Sequence, residues 1–209
     1  MASWSPRQPV ASRVMLDCPG YRCGVIEVRD YDPSWAERFD ALHAEYAAAL
    51  EAANVPHIAI EHIGSTAVPG LAAKPVIDID IVVERVEVDA ASAVLVNLGF
   101  EPRGELGIPD RWAFWEPDRL VGTNTYVVVA GSLALHNHIA LRDVLRTDDS
   151  LRDEYGALKK EVGATAADLY QYGAGKNAMV QRILIAAGLS EQQRVSIGAI
   201  VVPITERKR

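Results

Sequence analysis

Two aspartates in one strand-like segment carry the strongest chemical signal of the sequence. Asp78 and Asp80 alternate with Ile77, Ile79 and Ile81, so a strand would place both carboxylates on one face and the isoleucines on the other. At about 6 to 7 Å, two like charges repel by roughly 2.5 kcal/mol at an effective dielectric constant near 20. A hard cation such as Mg²⁺ or Mn²⁺ would remove this repulsion. The pattern favours a metal site at Asp78 and Asp80; the alternative is a solvent-facing edge strand.

A Gly-Ser-Thr turn precedes this segment and indicates an anion site. Gly64 lets the backbone approach a ligand closely, while Ser65 and Thr66 offer hydroxyl and N–H groups at the start of a helical turn. The alternative is an ordinary capped turn. Lys74 comes four residues before Asp78 and is a further candidate for phosphate binding. The alternative is a solvated charge in a loop.

Basic residues of the C-terminal half are further candidates for phosphate binding. Arg142 and Lys176 are included in the predicted phosphate site, and Arg146 and Lys159 are considered with them. The alternative for each is a salt-bridged helix surface.

Histidine and tryptophan side chains give weaker signals. His136 and His138 form a His-x-His pair just before a helix, which suggests either metal binding or a capping or surface role. His62 precedes the Gly-Ser turn and either points into the site or is buried by strand alternation. Trp112 and Trp115 are more typical of a core than of a base-stacking platform.

Periodicity predicts an α/β (α+β) fold with a mixed sheet and a helical C-terminal half. The predicted strands 111–116 and 123–130 are expected to pair as a hairpin, with Pro117 and Gly122 at the connection, and Pro33 at the first helical position begins the first helix. The predicted strands cover 25–28, 58–63, 76–83, 111–116, 123–130 and a final 195–204, and the predicted helices cover 33–54, 88–98, 139–146, 151–162 and 176–187.

Composition narrows the functional class. The 209 residues carry a net charge of −7, which disfavours long-range attraction to nucleic acid. No apolar run approaches the roughly 20 residues of a membrane-spanning helix, and we expect a cytoplasmic protein. We predict an irregular arm at 1–24, one domain at 25–188 and a tail at 189–209.

The segment around the aspartates resembles a known family. Residues 61–81 read EHIGSTAVPGLAAKPVIDIDI and are similar to the signature of the GrpB family, which has a nucleotidyltransferase-like fold and also occurs fused to dephospho-coenzyme A kinase. The resemblance extends over 25–188 and includes the blocks 28–35, 140–146, 154–162 and 175–188.

This resemblance implies Gly64 and Ser65 at a phosphate, and Asp78 and Asp80 at the metal. The chain departs from the family pattern at one place, because Asn124 and Tyr126 stand where the family has His-x-His. Asparagine does not titrate and tyrosine ionises near pH 10, so neither replaces a histidine as a proton carrier near neutral pH. Glu116 and Asp118 are an alternative source of a carboxylate.

Together these features predict a metal-dependent nucleotidyltransferase. It would bind a nucleoside triphosphate, ATP first among them, with Mg²⁺ or Mn²⁺, and transfer the nucleotidyl group to a small-molecule acceptor. A carboxylate acceptor would give an acyl-adenylate, the first step of a ligase. The alternatives are a non-catalytic nucleotide- or coenzyme-binding protein and a protein-interaction module.

Overall fold

Five strands form one mixed β-sheet in this computed structural model, which describes residues 26–198. In chain order the strands are β1 (Ala59–Ile63), β2 (Ile77–Val83), β3 (Glu101–Gly104), β4 (Arg111–Trp115) and β5 (Thr123–Val129). Across the sheet their order is β1-β2-β5-β4-β3. The pairing of β2 with β5 is parallel, and the other three pairings are antiparallel.

Two helices cover the isoleucine face of β2. These are α1 (Ser34–Ala52) and α2 (Val88–Asn97). The Asp32 carboxylate accepts a hydrogen bond from the Ser34 N–H at 2.9 Å, which caps the start of α1. Apolar side chains at helical spacing on α1 then pack against fully buried side chains of β2 in the larger of two core clusters.

The C-terminal half is helical and packs on the opposite face. It comprises α3 (Leu133–Thr147), α4 (Asp149–Thr165), α5 (Leu169–Ala186) and α6 (Glu191–Gly198). Side chains of Ser132, Asp148 and Asp168 cap the first three of these helices. A second core cluster holds these helices to the segment that precedes β2; its buried members are Val68, Leu71, Leu145, Leu151, Tyr155, Met179 and Ile183.

The predicted mixed sheet and helical C-terminal half are confirmed, as is the antiparallel pairing of β4 with β5. Two predicted strands are wrong. Residues 26–28 form no strand, and only a single bridge joins Arg29 to Ala73. Residues 195–198 belong to α6, and the rest of the predicted final strand lies outside the described residues.

The sequence pattern missed β3. Pro102 lies within it, and a proline lowers the strand signal because it cannot donate a ladder hydrogen bond. Such a residue is tolerated here because β3 is an edge strand, and its register shifts between Pro102 and Gly104. In the part of the chain that the structure describes, none of the helices is both long and apolar enough to cross a membrane.

Candidate functional site

Gly64 brings the Gly-Ser turn directly against Asp78. Its φ of 71° and ψ of −169° lie in a region that only glycine adopts readily, and a Cβ atom there would overlap the Asp78 carboxylate. The turn that follows, Ser65–Ala67, is a single 3₁₀ turn, so it lacks the longer helix that a strong dipole would need. The close approach of backbone and carboxylate therefore distinguishes this turn from an ordinary cap.

Asp78 is held from the neighbouring strand. The register pairs it with Ile63 on β1 and with Asn124 on β5. The Asn124 Nδ2 donates a hydrogen bond to Asp78 Oδ1 at 2.7 Å. Burial raises the pKa of Asp78, although the Asn124 hydrogen bond and the nearby Lys74 oppose this rise. Asn124 thus fixes one carboxylate oxygen and leaves Oδ2 beside Gly64.

Asp80 is completely buried and only half satisfied. Its side chain pairs through Oδ2 with His138 Nδ1 at 2.8 Å. Its other oxygen, Oδ1, has no hydrogen-bond partner among residues 26–198. A buried carboxylate oxygen without a partner costs free energy, so this atom marks a place where a ligand would bind favourably.

The aspartate pair, Asp78 and Asp80, fits a hard divalent cation. Asp80 Oδ1 has no hydrogen-bond partner among the described residues, and Asp78 Oδ2 lies against Gly64. Both are oxygen atoms, the ligands that Mg²⁺ and Mn²⁺ prefer. No three His, Cys, Asp or Glu side chains converge on a metal position within the described ranges. The protein would therefore supply two carboxylates, and phosphate and water oxygens would complete the coordination.

Three lysines from three different segments lie near Asp78, close enough for its charge to act on each. Lys74 precedes β2, Lys159 belongs to α4 and Lys176 belongs to α5; we call them the lysine cluster. The Nζ atoms of Lys74 and Lys176 lie 5.6 and 4.2 Å from the centroid of the Tyr172 ring. Lys159 is 1% exposed, and its Nζ has no hydrogen-bond partner in the described part of the chain.

The lysine cluster concentrates positive charge in a buried place. Burial lowers the pKa of all three lysines, to about 8 for Lys176 and well below the ordinary value for Lys159. The positive charge of Lys74 lowers the pKa of Lys176 further, and the positive charge of Lys176 lowers the pKa of Lys159 further. Asp78 is the carboxylate that opposes these shifts in all three. A multiply charged anion would relieve this imbalance.

A cavity of about 220 Å³ lies between the Gly-Ser turn, Asp78 and the helical half. Ser65 and Asp78 lie on one side, and His138 from α3 and Tyr155 from α4 lie on the other. Its full lining is Ile63, Gly64, Ser65, Asp78, Tyr126, Asn137, His138, Leu141 and Tyr155.

Thr66, which was predicted at the phosphate, and His62, which was predicted either in the site or buried, bond to each other in the structure. The Thr66 hydroxyl donates to the Val76 carbonyl at 3.0 Å and therefore accepts from His62 Nε2 at 3.1 Å. Burial and the nearby Arg146 and Arg142 lower the pKa of His62 to about 4, so this histidine is neutral and structural at pH 7.

Arg142 lies beside the site but is engaged elsewhere. Its Nη1 donates to Glu61 Oε2 at 2.6 Å and to the His62 carbonyl at 3.0 Å, and its Nε donates to Asp143 at 2.7 Å. Arg146 donates twice to the Ala67 carbonyl. The two arginines thus fasten α3 to β1 and to the Gly-Ser turn, and neither is part of the cavity lining.

Some of the remaining predicted residues lie at the site and others do not. The structure brings His138 to Asp80, whereas His136 is exposed on α3. Glu116 and Asp118 are not among the cavity residues. Sequence reasoning did not single out Tyr155 as a cavity residue, although its spacing of four from Lys159 places both on one side of α4.

Comparisons with known proteins agree with the resemblance carried by residues 61–81. The family model described as GrpB protein matches residues 25–185. The UPF0157 protein YqkA of Bacillus subtilis is 35% identical over 159 residues, which cover 75% of this chain and 45% of the relative. A UPF0157 protein of Deinococcus radiodurans is 37% identical over 161 residues, covering 76% and 81%. This chain therefore spans less than half the length of the first relative and most of the second.

Solved structures give a consistent result. The crystal structure of conserved protein GrpB from Enterococcus faecalis matches with a TM-score of 0.66 and 30% identity, covering 77% of this chain and 96% of that chain. Cid1 in complex with its short product ApU matches with a TM-score of 0.45 and 14% identity, covering 63% and 42%, and at this level no activity carries over. The predicted resemblance is confirmed by the family match, and the chain belongs to the GrpB family.

Proposed function

We propose that this protein binds a nucleoside triphosphate together with Mg²⁺ or Mn²⁺ and transfers its nucleotidyl group to a small-molecule acceptor. One observation carries the proposal: the lysine cluster, in which the buried Lys159 Nζ has no hydrogen-bond partner among residues 26–198, and the aspartate pair, which has an unsatisfied buried oxygen, meet at Asp78. A metal-chelated polyphosphate satisfies both deficits at once, because it brings anionic oxygens to the lysines and a cation to the aspartates.

Ser65 and the lysine cluster would hold the phosphates. Ser65 lines the cavity together with Asp78, so its hydroxyl and the backbone that Gly64 brings close would donate to phosphate oxygens. Lys74, Lys159 and Lys176 would place their ammonium groups around the leaving pyrophosphate. Binding a polyanion would also raise the pKa of these lysines again, because negative charge favours the ammonium form.

Asn124 and His138 would fix the two carboxylates. Each occupies one oxygen of its aspartate, which leaves Asp78 Oδ2 and Asp80 Oδ1 to hold the metal. The metal would offset phosphate charge and polarise the phosphoryl oxygens. Because Asn124 and His138 set the orientation in advance, little reorganisation would be needed on binding.

The transfer itself would be an in-line displacement. An oxygen or nitrogen atom of the acceptor's hydroxyl, amine or carboxylate group attacks the α-phosphorus. A bond forms between the attacking atom and phosphorus, and the phosphorus–oxygen bond to pyrophosphate breaks. The electron pair leaves with the pyrophosphate, and any acceptor proton passes to water. A carboxylate acceptor would yield an acyl-adenylate, which makes a ligase a variant of the same chemistry.

A second candidate function is non-catalytic binding of a nucleotide or coenzyme. It is favoured by β5, which presents Asn124 and Tyr126 rather than a carboxylate opposite the aspartate pair. The two candidates share the phosphate site and differ in turnover alone.

The test separates binding from turnover. Calorimetric titration with a non-hydrolysable ATP analogue should show binding that requires Mg²⁺ or Mn²⁺, and pyrophosphate release from ATP with pooled metabolites should exceed the acceptor-free rate. Binding without release in any pool would favour the non-catalytic candidate. No binding of any nucleoside triphosphate with either metal would refute both.

A further inference from the structure

The sheet carries an arginine on the same face as the aspartate pair. Asp80 on β2 pairs in register with Tyr126 on β5, and Val128 on β5 pairs with Arg111 on β4. Residues two apart on a strand share a face, so Arg111, Tyr126 and Asp80 all stand on the cavity side of the sheet.

Arg111 is stacked on Tyr126 and retains an unsatisfied donor. Its guanidinium carbon lies 4.5 Å from the centroid of the Tyr126 ring, and its buried Nε has no hydrogen-bond partner within the described part of the chain. Tyr126 lines the cavity, and its ring centroid lies 6.0 Å from that of His138, which bonds Asp80. The unsatisfied arginine is thus connected to the aspartate pair through two side chains in contact.

A stacked guanidinium is suited to one class of ligand. Stacking fixes its plane while its N–H groups point outward along that plane, where they match the two oxygens of a carboxylate or phosphate. The lysine cluster lies at the helical side of Asp78, whereas Arg111 lies on β4, beyond β5. The arginine is therefore placed to receive the second substrate rather than the phosphates of the first.

We propose, on the basis of the proposed nucleotidyl transfer, that the acceptor is a small anion and that Arg111, positioned by Tyr126, binds its carboxylate or phosphate group. The backbone of Arg111 lies two strand spacings across the sheet and two residues along it from that of Asp80, roughly 12 Å away, and the Arg111 guanidinium lies over Tyr126 on the intervening strand. The anionic group and the reacting atom of the acceptor must fit within that span, which selects a short molecule.

The experiment uses pairs of probes that differ in charge. Pyrophosphate release from ATP with Mg²⁺ is measured with glycerol 3-phosphate against glycerol, 4-hydroxybutyrate against 1,4-butanediol, and phosphoserine against serinamide. We expect release above the acceptor-free rate from anionic members only, and the phosphate and carboxylate pairs identify which anion is preferred. Equal use of a neutral member, or no release with any anionic member while nucleotide still binds, overturns the proposal.

Variants locate the effect at Arg111. Arg111→Met should raise the KM for the anionic acceptor by about 10- to 100-fold, because one charge-assisted hydrogen bond is lost. The Kd for the nucleotide should not change. Arg111→Lys, which keeps the charge but loses the planar fork, should be intermediate and serves if the Met variant does not fold. Arg119→Met is the control. It also removes one positive charge, but Arg119 pairs with Glu45 on α1, so neither the KM for the acceptor nor the Kd for the nucleotide should change.

The outcomes distinguish the two proposals. An unchanged acceptor KM in Arg111→Met overturns this inference and leaves the proposed nucleotidyl transfer standing. Failure of the wild-type protein to bind any nucleoside triphosphate overturns the proposed function, and this inference with it.

Discussion

Lys159 allows the lysine cluster to be tested against a neighbour in the same helix. It is 1% exposed with an unsatisfied Nζ, whereas Lys160 is exposed and pairs with Asp30 at 2.5 Å. Lys159→Met keeps much of the side-chain shape and removes a buried polar group that contacts the Tyr155 ring but has no hydrogen-bond partner among the described residues. Such a group costs about 1 to 3 kcal/mol, so the ligand-free variant should be more stable than the wild type by that order.

The same substitution should weaken nucleotide binding. One lost hydrogen bond to a charged phosphate corresponds to about 1.5 to 3 kcal/mol, or roughly a 10- to 100-fold higher Kd. For a chain of this size, each 1 kcal/mol of added stability raises Tm by about 2 to 4 °C. Lys159→Met should therefore melt higher and bind more weakly, which are opposite changes that a purely structural lysine would not produce.

Thermal melts and calorimetric titration of a non-hydrolysable ATP analogue with Mg²⁺ provide the two measurements. Lys160→Met is the control, and it should leave Tm and Kd nearly unchanged, because exposed ion pairs contribute little. If Lys159→Met lowers Tm and binds the analogue as tightly as the wild type, Lys159 is a structural residue and the account of the lysine cluster is wrong.

Three further predictions concern the same site. Asp78→Asn and Asp80→Asn should each retain or raise the stability of the ligand-free protein and abolish metal-dependent nucleotide binding; variants that unfold readily yet bind normally would make the pair structural. Ser65→Ala should weaken triphosphate binding by about 1.5 to 3 kcal/mol in calorimetry while metal binding stays intact. The lowered pKa of Lys176 means that the folded protein binds fewer protons than the unfolded chain between pH about 8 and 10.5, so the free energy of unfolding without ligand should rise with pH there. Denaturation of Lys176→Met across that range should show a shallower rise, and an identical slope would contradict the shift.

Local pattern was enough to predict the aspartate pair. Strand alternation placed Asp78 and Asp80 on one face, and the structure shows both on the cavity side of β2, apart from the isoleucines in the core. The role of Gly64 was only partly predictable. A glycine in a turn suggests that another group approaches the backbone closely, but the sequence does not show that this group is the Asp78 carboxylate. The assignment of these residues to metal and phosphate remains a prediction.

Contacts between distant segments could not be predicted from local pattern. Lys159 and Arg142 are both basic residues on amphipathic helices, yet docking of the helices leaves one buried without a partner and gives the other three acceptors. His138 looked like a residue for capping or for the surface until the fold of α3 over the sheet brought it to Asp80. Such differences arise from tertiary packing, which periodicity does not encode.

The contact between Gly64 and Asp78 also offers a genetic tool. Gly64→Ala alters no charge and no titratable group, yet its methyl group would displace the Asp78 carboxylate. Gly131 has the same φ of 71°, and no atom of the described residues lies within 4 Å of its ideal Cβ position. A strain carrying Gly131→Ala would therefore report the general effect of alanine at a positive φ, and a strain carrying Gly64→Ala would add the loss of site geometry. A phenotype confined to the second allele would connect the cellular role of the protein to the aspartate pair without any change in the number of charged groups.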